Sequence, residues 1–185
     1  TPNKSLISQR EIVEDTLSWP NALRSSLRED PNVLLVGEMR DLETISAALT
    51  VAETGHLVFA TLHTNSGPET IDRIIDVFPE FQQSQVRSQL ASTLKAVLSQ
   101  RLIPTTDGTR RVPAMEVLIN TPAAANLIRE VKTYQLDNVM QTSGNIGMMM
   151  LESNLAALVN GGVITLEEAR KNSIRPDELD RLLGH

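Results

Sequence analysis

Apolar positions follow two rhythms along this chain. Val33-Leu34-Leu35-Val36 and the stretch Leu57 to Leu62 are short, nearly continuous apolar runs bounded by turn residues. That is the pattern of strands in a parallel sheet, buried on both faces. Around them the spacing changes to that of a helix. Ala22, Leu23, Ser26 and Leu27 share one face, as do Ile45, Ala48, Leu49 and Ala52, and then Ile71, Ile74, Ile75 and Phe78. The punctuation agrees with these periods. Ser18 precedes Trp19-Pro20, Asp30-Pro31 stops the first helix, Asp41 opens the second, and Thr54-Gly55 closes it. Ser66-Gly67-Pro68-Glu69 has the composition of a helix start, and Pro79 breaks the helix that follows. Strand and helix in alternation predict an α/β domain with a mainly parallel sheet.

Further on, Val86, Leu90, Leu94 and Leu98 lie four apart with Val97 beside them, which predicts one long helix. Leu102-Ile103-Pro104, the turn Thr106-Asp107-Gly108 and Arg111 to Ile119 then read as a hairpin at the edge of the same sheet. After Asn120 the pattern is of short helices: Thr121 to Glu130, Thr133 to Met140, Met148 to Val159, Thr165 to Lys171 and Arg175 to Leu183. Thr165 and Glu168 stand in capping-box register. The expected division is an α/β part over residues 1–120 and a helical part over residues 121–185.

Composition narrows the classes. The chain has 185 residues, room for one or two domains. It has no cysteine, which excludes disulfides and thiolate zinc sites. A net charge of −6 and 3% aromatic residues argue against a nucleic-acid surface. The first residue is Thr1 rather than a methionine, which points to a fragment or a processed product.

The candidate chemistry gathers between Asn32 and Asn65. Gly37-Glu38 follows an apolar strand, and open parallel sheets bind ligands at the carboxyl ends of their strands. Two roles are open for Glu38: a carboxylate that holds Mg²⁺, through water, or an ordinary acid in a strand–helix turn. His56 and His63 flank the second run. Each is either a phosphate-facing imidazole or a structural hydrogen-bonding group, and from opposite ends of a strand the two cannot share one ion. Arg40, Arg73 and Arg87 can pair with phosphate or with acids. Met148-Met149-Met150 reads as core packing. No Gly-x-x-x-x-Gly-Lys-Ser/Thr loop occurs in these 185 residues.

The segments Leu27 to Asp41 and Ala47 to Pro79 resemble the type II/IV secretion ATPase family, in its type IV pilus retraction (PilT-like) branch. The resemblance implies the C-terminal portion of a RecA-like P-loop NTPase core, with a mixed, mainly parallel sheet and an all-helical C-terminal segment. It implies ATP and Mg²⁺ as cofactors and a homo-hexamer in the full-length protein. It also implies a platform protein of the inner membrane as partner, and a cytoplasmic location peripheral to that membrane. Zinc and nucleic acid are not expected. Gly37 and Glu38 match the family's Walker B element. Glu38 takes the catalytic and magnesium role, and His63 a second catalytic role. His56 and His63 match the His box that faces the γ-phosphate, and Arg73 matches a nucleotide-binding or subunit-interface position. Absent cysteines separate the chain from branches with a tetracysteine zinc loop. Asn126 to Glu130 match the retraction branch's C-terminal signature, whereas Ala124 and Ala125 replace its isoleucine and first arginine. Beside the motor stands an alternative, a non-catalytic interaction or accessory module. On either reading the 185 residues alone, lacking the phosphate loop, are expected not to hydrolyse ATP.

Overall fold

A computed structural model describes residues 4–184. His185 and the first three residues of the irregular lead-in lie outside the described residues. The chain packs as two compact units, one running to Leu62 and one from His63 onward.

The first unit is built on two parallel strands. Helix α1 (Trp19–Ser26) is capped by the Ser18 side chain, which accepts from the Asn21 N–H. It ends in a single 3-10 turn, after which Asp30 takes a left-handed conformation with φ 51°. Strand β1 (Val33–Val36) leads to α2 (Leu42–Glu53), and Gly55, with φ 95°, turns the chain into β2 (Leu57–Ala60). That conformation favours glycine, which has no Cβ to clash. Strands β1 and β2 pair in parallel from Val33↔Leu57 to Val36↔Ala60. Helix α2 packs against β2 and against α1.

The apolar runs predicted strands buried on both faces, and here one face is bare. Val33 and Leu35 are 51% and 73% exposed, and their cross-strand neighbours Leu57 and Phe59 are 43% and 55% exposed. Only Val36 among the eight paired residues is fully buried. Among the described residues of the first unit, helix α2 is the element that packs on β2.

The second unit starts with α3 (Gly67–Asp76) and α4 (Glu80–Thr93) and continues into the hairpin of β3 (Ala96–Pro104) and β4 (Arg111–Ile119). This corrects two expectations. The hairpin is its own two-stranded antiparallel sheet rather than an edge of the parallel one. The helix expected to reach Leu98 stops at Thr93, with Leu94 already extended at ψ 134°. Leu94 and Leu98 fit a helical stripe, but from Ala96 onward nine residues pair with β4. The Asn120 side chain donates to the carbonyls of Ala91 and Leu94, satisfying two of the groups a helix end leaves unpaired.

The hairpin is backed by α5 (Pro122–Arg129), α6 (Leu136–Thr142), α7 (Leu151–Asn160), α8 (Leu166–Asn172) and α9 (Pro176–Leu183). Asn120 therefore marks a change from strand to helix within one packed unit. Helix α7 begins at Leu151, three residues later than the pattern suggested, because Met149 exchanges both backbone hydrogen bonds with Val117 of β4. Met148 and Met150 are buried, as expected of gap-filling methionines. Ile103, Ala114, Leu151, Leu155, Ala169 and Leu179 form a core between hairpin and helices. No helix among the described residues is long and apolar enough to cross a membrane.

Close approach fixes one glycine here. A Cβ on Gly67 would stand 3.0 Å from both Cβ and Cδ2 of Leu118, which is itself fully buried. Gly67→Ala is expected to overpack this contact and cost about 1–3 kcal/mol in urea unfolding. A wild-type unfolding midpoint would show that α3 and β4 are not in the contact described.

Candidate functional site

The carboxyl edge of the parallel pair holds the first group of predicted residues. Beyond the paired residues the two chains stay tied: the Thr61 hydroxyl donates to the Gly37 carbonyl at 2.5 Å, and the Met39 N–H donates to the Thr61 carbonyl at 2.9 Å. Glu38 and Asp41 share this edge but do different work. Asp41 caps α2, accepting the Thr44 N–H at 2.8 Å, and the bonds from Thr44 hold its carboxyl below the ordinary carboxylate range. Glu38 lies between strand and helix and pairs with Arg40 at 2.5 Å. The Arg40 side chain is 76% exposed, so solvent screens this pair and it adds little stability.

The donors at this edge suit a hard cation that keeps its water. Glu38 supplies one carboxylate, while the Thr61 hydroxyl and the Gly37 and Thr61 carbonyls are already hydrogen-bonded across the pair, which leaves water to complete a cation's shell. Among the described residues no group of three or more His, Cys, Asp or Glu could hold an ion by itself. Mg²⁺ matches such a set, since it is commonly bound by one or two carboxylates together with substrate phosphate.

The structure does not bring His56 and Glu38 together. His56 precedes β2, at the amino edge of the pair, while Glu38 follows β1 at the carboxyl edge. Four paired residues alone separate the edges by about 10 Å. The His56 Nδ1 lies 2.9 Å from the Thr54 hydroxyl, which is also bonded to the Val51 carbonyl. With the hydroxyl proton on Val51, the imidazole donates from Nδ1 and keeps Nε2 as an acceptor.

His63 opens the second unit in an exposed loop that leads into α3. The loop is closely tied to the helix start. Ser66 accepts the Glu69 N–H at 3.3 Å, and Glu69 accepts the Asn65 N–H at 2.9 Å, a variant of the capping box. Thr64 and Thr70 hydroxyls meet at 2.7 Å. Arg73 is exposed in the last turn of α3, about 9 Å along the axis from Gly67.

Sequence reasoning missed a buried charge cluster just behind this loop. Glu116 of β4 accepts the Gly67 N–H at 2.8 Å through Oε1, and its Oε2 lies 3.3 Å from Arg175. Arg175 also bonds Asp137 in a two-armed pair at 2.7 and 2.9 Å and Glu152 at 3.1 Å. Glu152 accepts from Ser173 and from the backbone N–H groups of Ile174 and Arg175. The available signal was Glu116 itself, an acid inside the apolar run Met115 to Ile119.

The first unit thus carries an acid just after a strand, and the second a loop histidine ahead of a capped helix. Comparison with known proteins supplies the class. The chain matches the type II/IV secretion system protein family over residues 7–175, and it belongs to that family. It is 55% identical over 170 residues to a twitching motility protein of Neisseria gonorrhoeae, covering 92% of this chain and 46% of that one. It is 53% identical over 174 residues to the type IV pilus retraction ATPase PilT of Pseudomonas aeruginosa, covering 94% and 50%. A solved structure of the pilus retraction motor PilT with bound ADP superposes with a TM-score of 0.85 at 51% identity, covering 94% of this chain and 49% of that one. The chain thus spans about half the length of the relatives it matches.

Burial pushes the Glu116 carboxyl above its ordinary value of 4.5, against the Gly67 N–H and Arg175, which pull it down. A carboxyl raised on folding binds more protons in the native state, so its contribution to stability is full below 4.5 and is lost as pH rises through the native value. Glu116→Gln, neutral at every pH, is expected to gain on wild type as pH rises through that window, measured by urea unfolding. A stability difference independent of pH would contradict the shift.

Proposed function

We propose that this chain is the hydrolysis-side portion of an ATP-driven motor that retracts type IV pili. Glu38 carries the proposal. It is the acid at the carboxyl edge of the parallel pair that does not cap α2, and its ion pair with Arg40 is open to solvent. In this reading Gly37 lets the backbone approach the phosphates, and Glu38 holds the Mg²⁺ of MgATP through water and accepts hydrogen bonds from the attacking water. Mg²⁺, when bound, neutralises charge on the phosphate oxygens. His63, on its capped loop, senses the γ-phosphate and shares the catalytic role. His56, at the far edge of its own sheet, serves coupling between subunits rather than the carboxylate beside its strand. Arg73, exposed on α3, acts at a subunit interface or on nucleotide.

Two observations support a larger assembly. The bare Val33/Leu35/Leu57/Phe59 face suits a sheet continued and covered by further polypeptide, since parallel sheets are covered on both sides. The relatives named for twitching motility and pilus retraction are about twice as long. The phosphate-cradling loop belongs to that additional length. The working form is a homo-hexamer on the cytoplasmic side of the inner membrane, engaged with the pilus platform.

The test is ATP turnover by this chain expressed in continuity with the coding sequence upstream of Thr1. Glu38→Gln is expected to lower kcat by about 10²–10⁴-fold while the melting temperature stays at the wild-type value. Wild-type turnover in that variant would remove Glu38 from the reaction. Phosphate release is expected to be absent from the 185 residues alone, and measurable release would show that the nucleotide site is complete without a phosphate loop.

A further inference from the structure

Two separate hydrogen-bonded links join the same two places in the second unit. The Arg101 Nη1 donates to the Asn172 carbonyl at 2.6 Å, and its Nη2 donates to Asn65 Oδ1 at 3.1 Å. Independently, Arg175 reaches Glu116, which accepts the Gly67 N–H. Both links begin at the junction of α8 and α9, within Asn172–Arg175. Both end within Asn65–Gly67, immediately after His63. The second link grips only the backbone at the start of α3. The loop side chain itself is held from outside by Arg101.

Arg101 is suited to be a fixed strut. It sits in the middle of β3, where nine residues pair in unbroken register with β4, so its Cα has little freedom. Its two acceptors are neutral and lie on different segments, so the guanidinium is satisfied only when the loop and the end of α8 are both in place. Asn172 is the last residue of α8, and a cation is favoured at that end of a helix, where carbonyls are unpaired. A planar fork holds its two donor nitrogens apart in a fixed geometry that reaches both acceptors, whereas an ammonium carries all its donors on one atom.

We propose that Arg101 is a positioning residue, fixing the His63–Asn65 loop to the α8–α9 junction so that the helical segment sets where His63 stands. The relevance to catalysis rests on the reading of His63 given above. A helical segment displaced during the motor's cycle would then carry the loop with it, and the charge cluster at Arg175 would move α3 in the same sense.

The test uses Arg101→Met, which keeps the length and loses the fork, and Arg101→Lys, which keeps the charge. In the 185-residue chain, Arg101→Met is expected to speed amide hydrogen exchange at Asn65, Gly67 and Glu69 about tenfold. Arg101→Lys should recover only part of the protection. In the protein continued upstream of Thr1, Arg101→Met should lower kcat for ATP about tenfold with KM within about twofold, because a misplaced group costs turnover more than binding. Unchanged exchange over this segment overturns the proposal. So does faster exchange with unchanged kcat, or a change confined to KM. If the wild-type continued protein hydrolyses no ATP, the motor reading fails, and the exchange data alone decide whether Arg101 holds the loop.

Discussion

One guanidinium organises the second half of this molecule. Arg175 stands at the turn between α8 and α9 and meets carboxylates from β4, α6 and α7: Glu116, Asp137 and Glu152. Glu116 and Glu152 have almost no solvent exposure. Such a cluster adds little net stability over a well-packed apolar core, but removing its central cation would strand buried charge at a cost of about 3–5 kcal/mol. Its effect is therefore on specificity of arrangement. Four elements can satisfy their charges in only one relative placement, and through the Gly67 N–H that placement extends to the start of α3. The loop bearing His63 thus stands on a frame fixed from behind.

The first unit works under a different constraint. Its two strands are too few to bury both their faces, and what they offer is a carboxyl edge with a division of labour between two acids. Asp41 is committed to the N-terminus of α2, and its lowered carboxyl reflects that bond. Glu38 pairs with the exposed Arg40. The same strand–turn–helix geometry commits one acid to a helix cap and sets the other beside an exposed arginine.

Much of this was legible in the sequence because the signals were local. Ser18, Asp41, Ser66, Thr121 and Thr165 cap the helices they precede, each accepting a backbone N–H three residues on. The apolar runs became strands, and the Asp107-Gly108 turn became a hairpin, with Gly108 at φ 67°. What escaped was set from a distance. Leu94 and Leu98 satisfy helical and strand spacing alike, and the end of α4 is decided by Asn120, which lies beyond the whole hairpin. The separate sheet of β3 and β4 follows from pairing that no periodicity records. Among the candidate residues, the place of Glu38 just after a strand was legible, whereas the position of His56 at the opposite edge follows from strand direction. Arg101 and Arg175 gave no local sign, since an arginine's partners cannot be read from its neighbours in sequence.

On the function proposed above, a metal–nucleotide complex lies at the Gly37–Glu38 edge of the parallel pair. The most direct measurement is paramagnetic broadening of amide resonances by Mn²⁺·ATP in the protein continued upstream of Thr1. The strongest broadening is expected at Glu38, Met39 and Thr61, with measurably weaker broadening at Glu53 to Leu57 at the opposite edge of the same sheet. Equal broadening at the two edges, or broadening centred on His56, would contradict it.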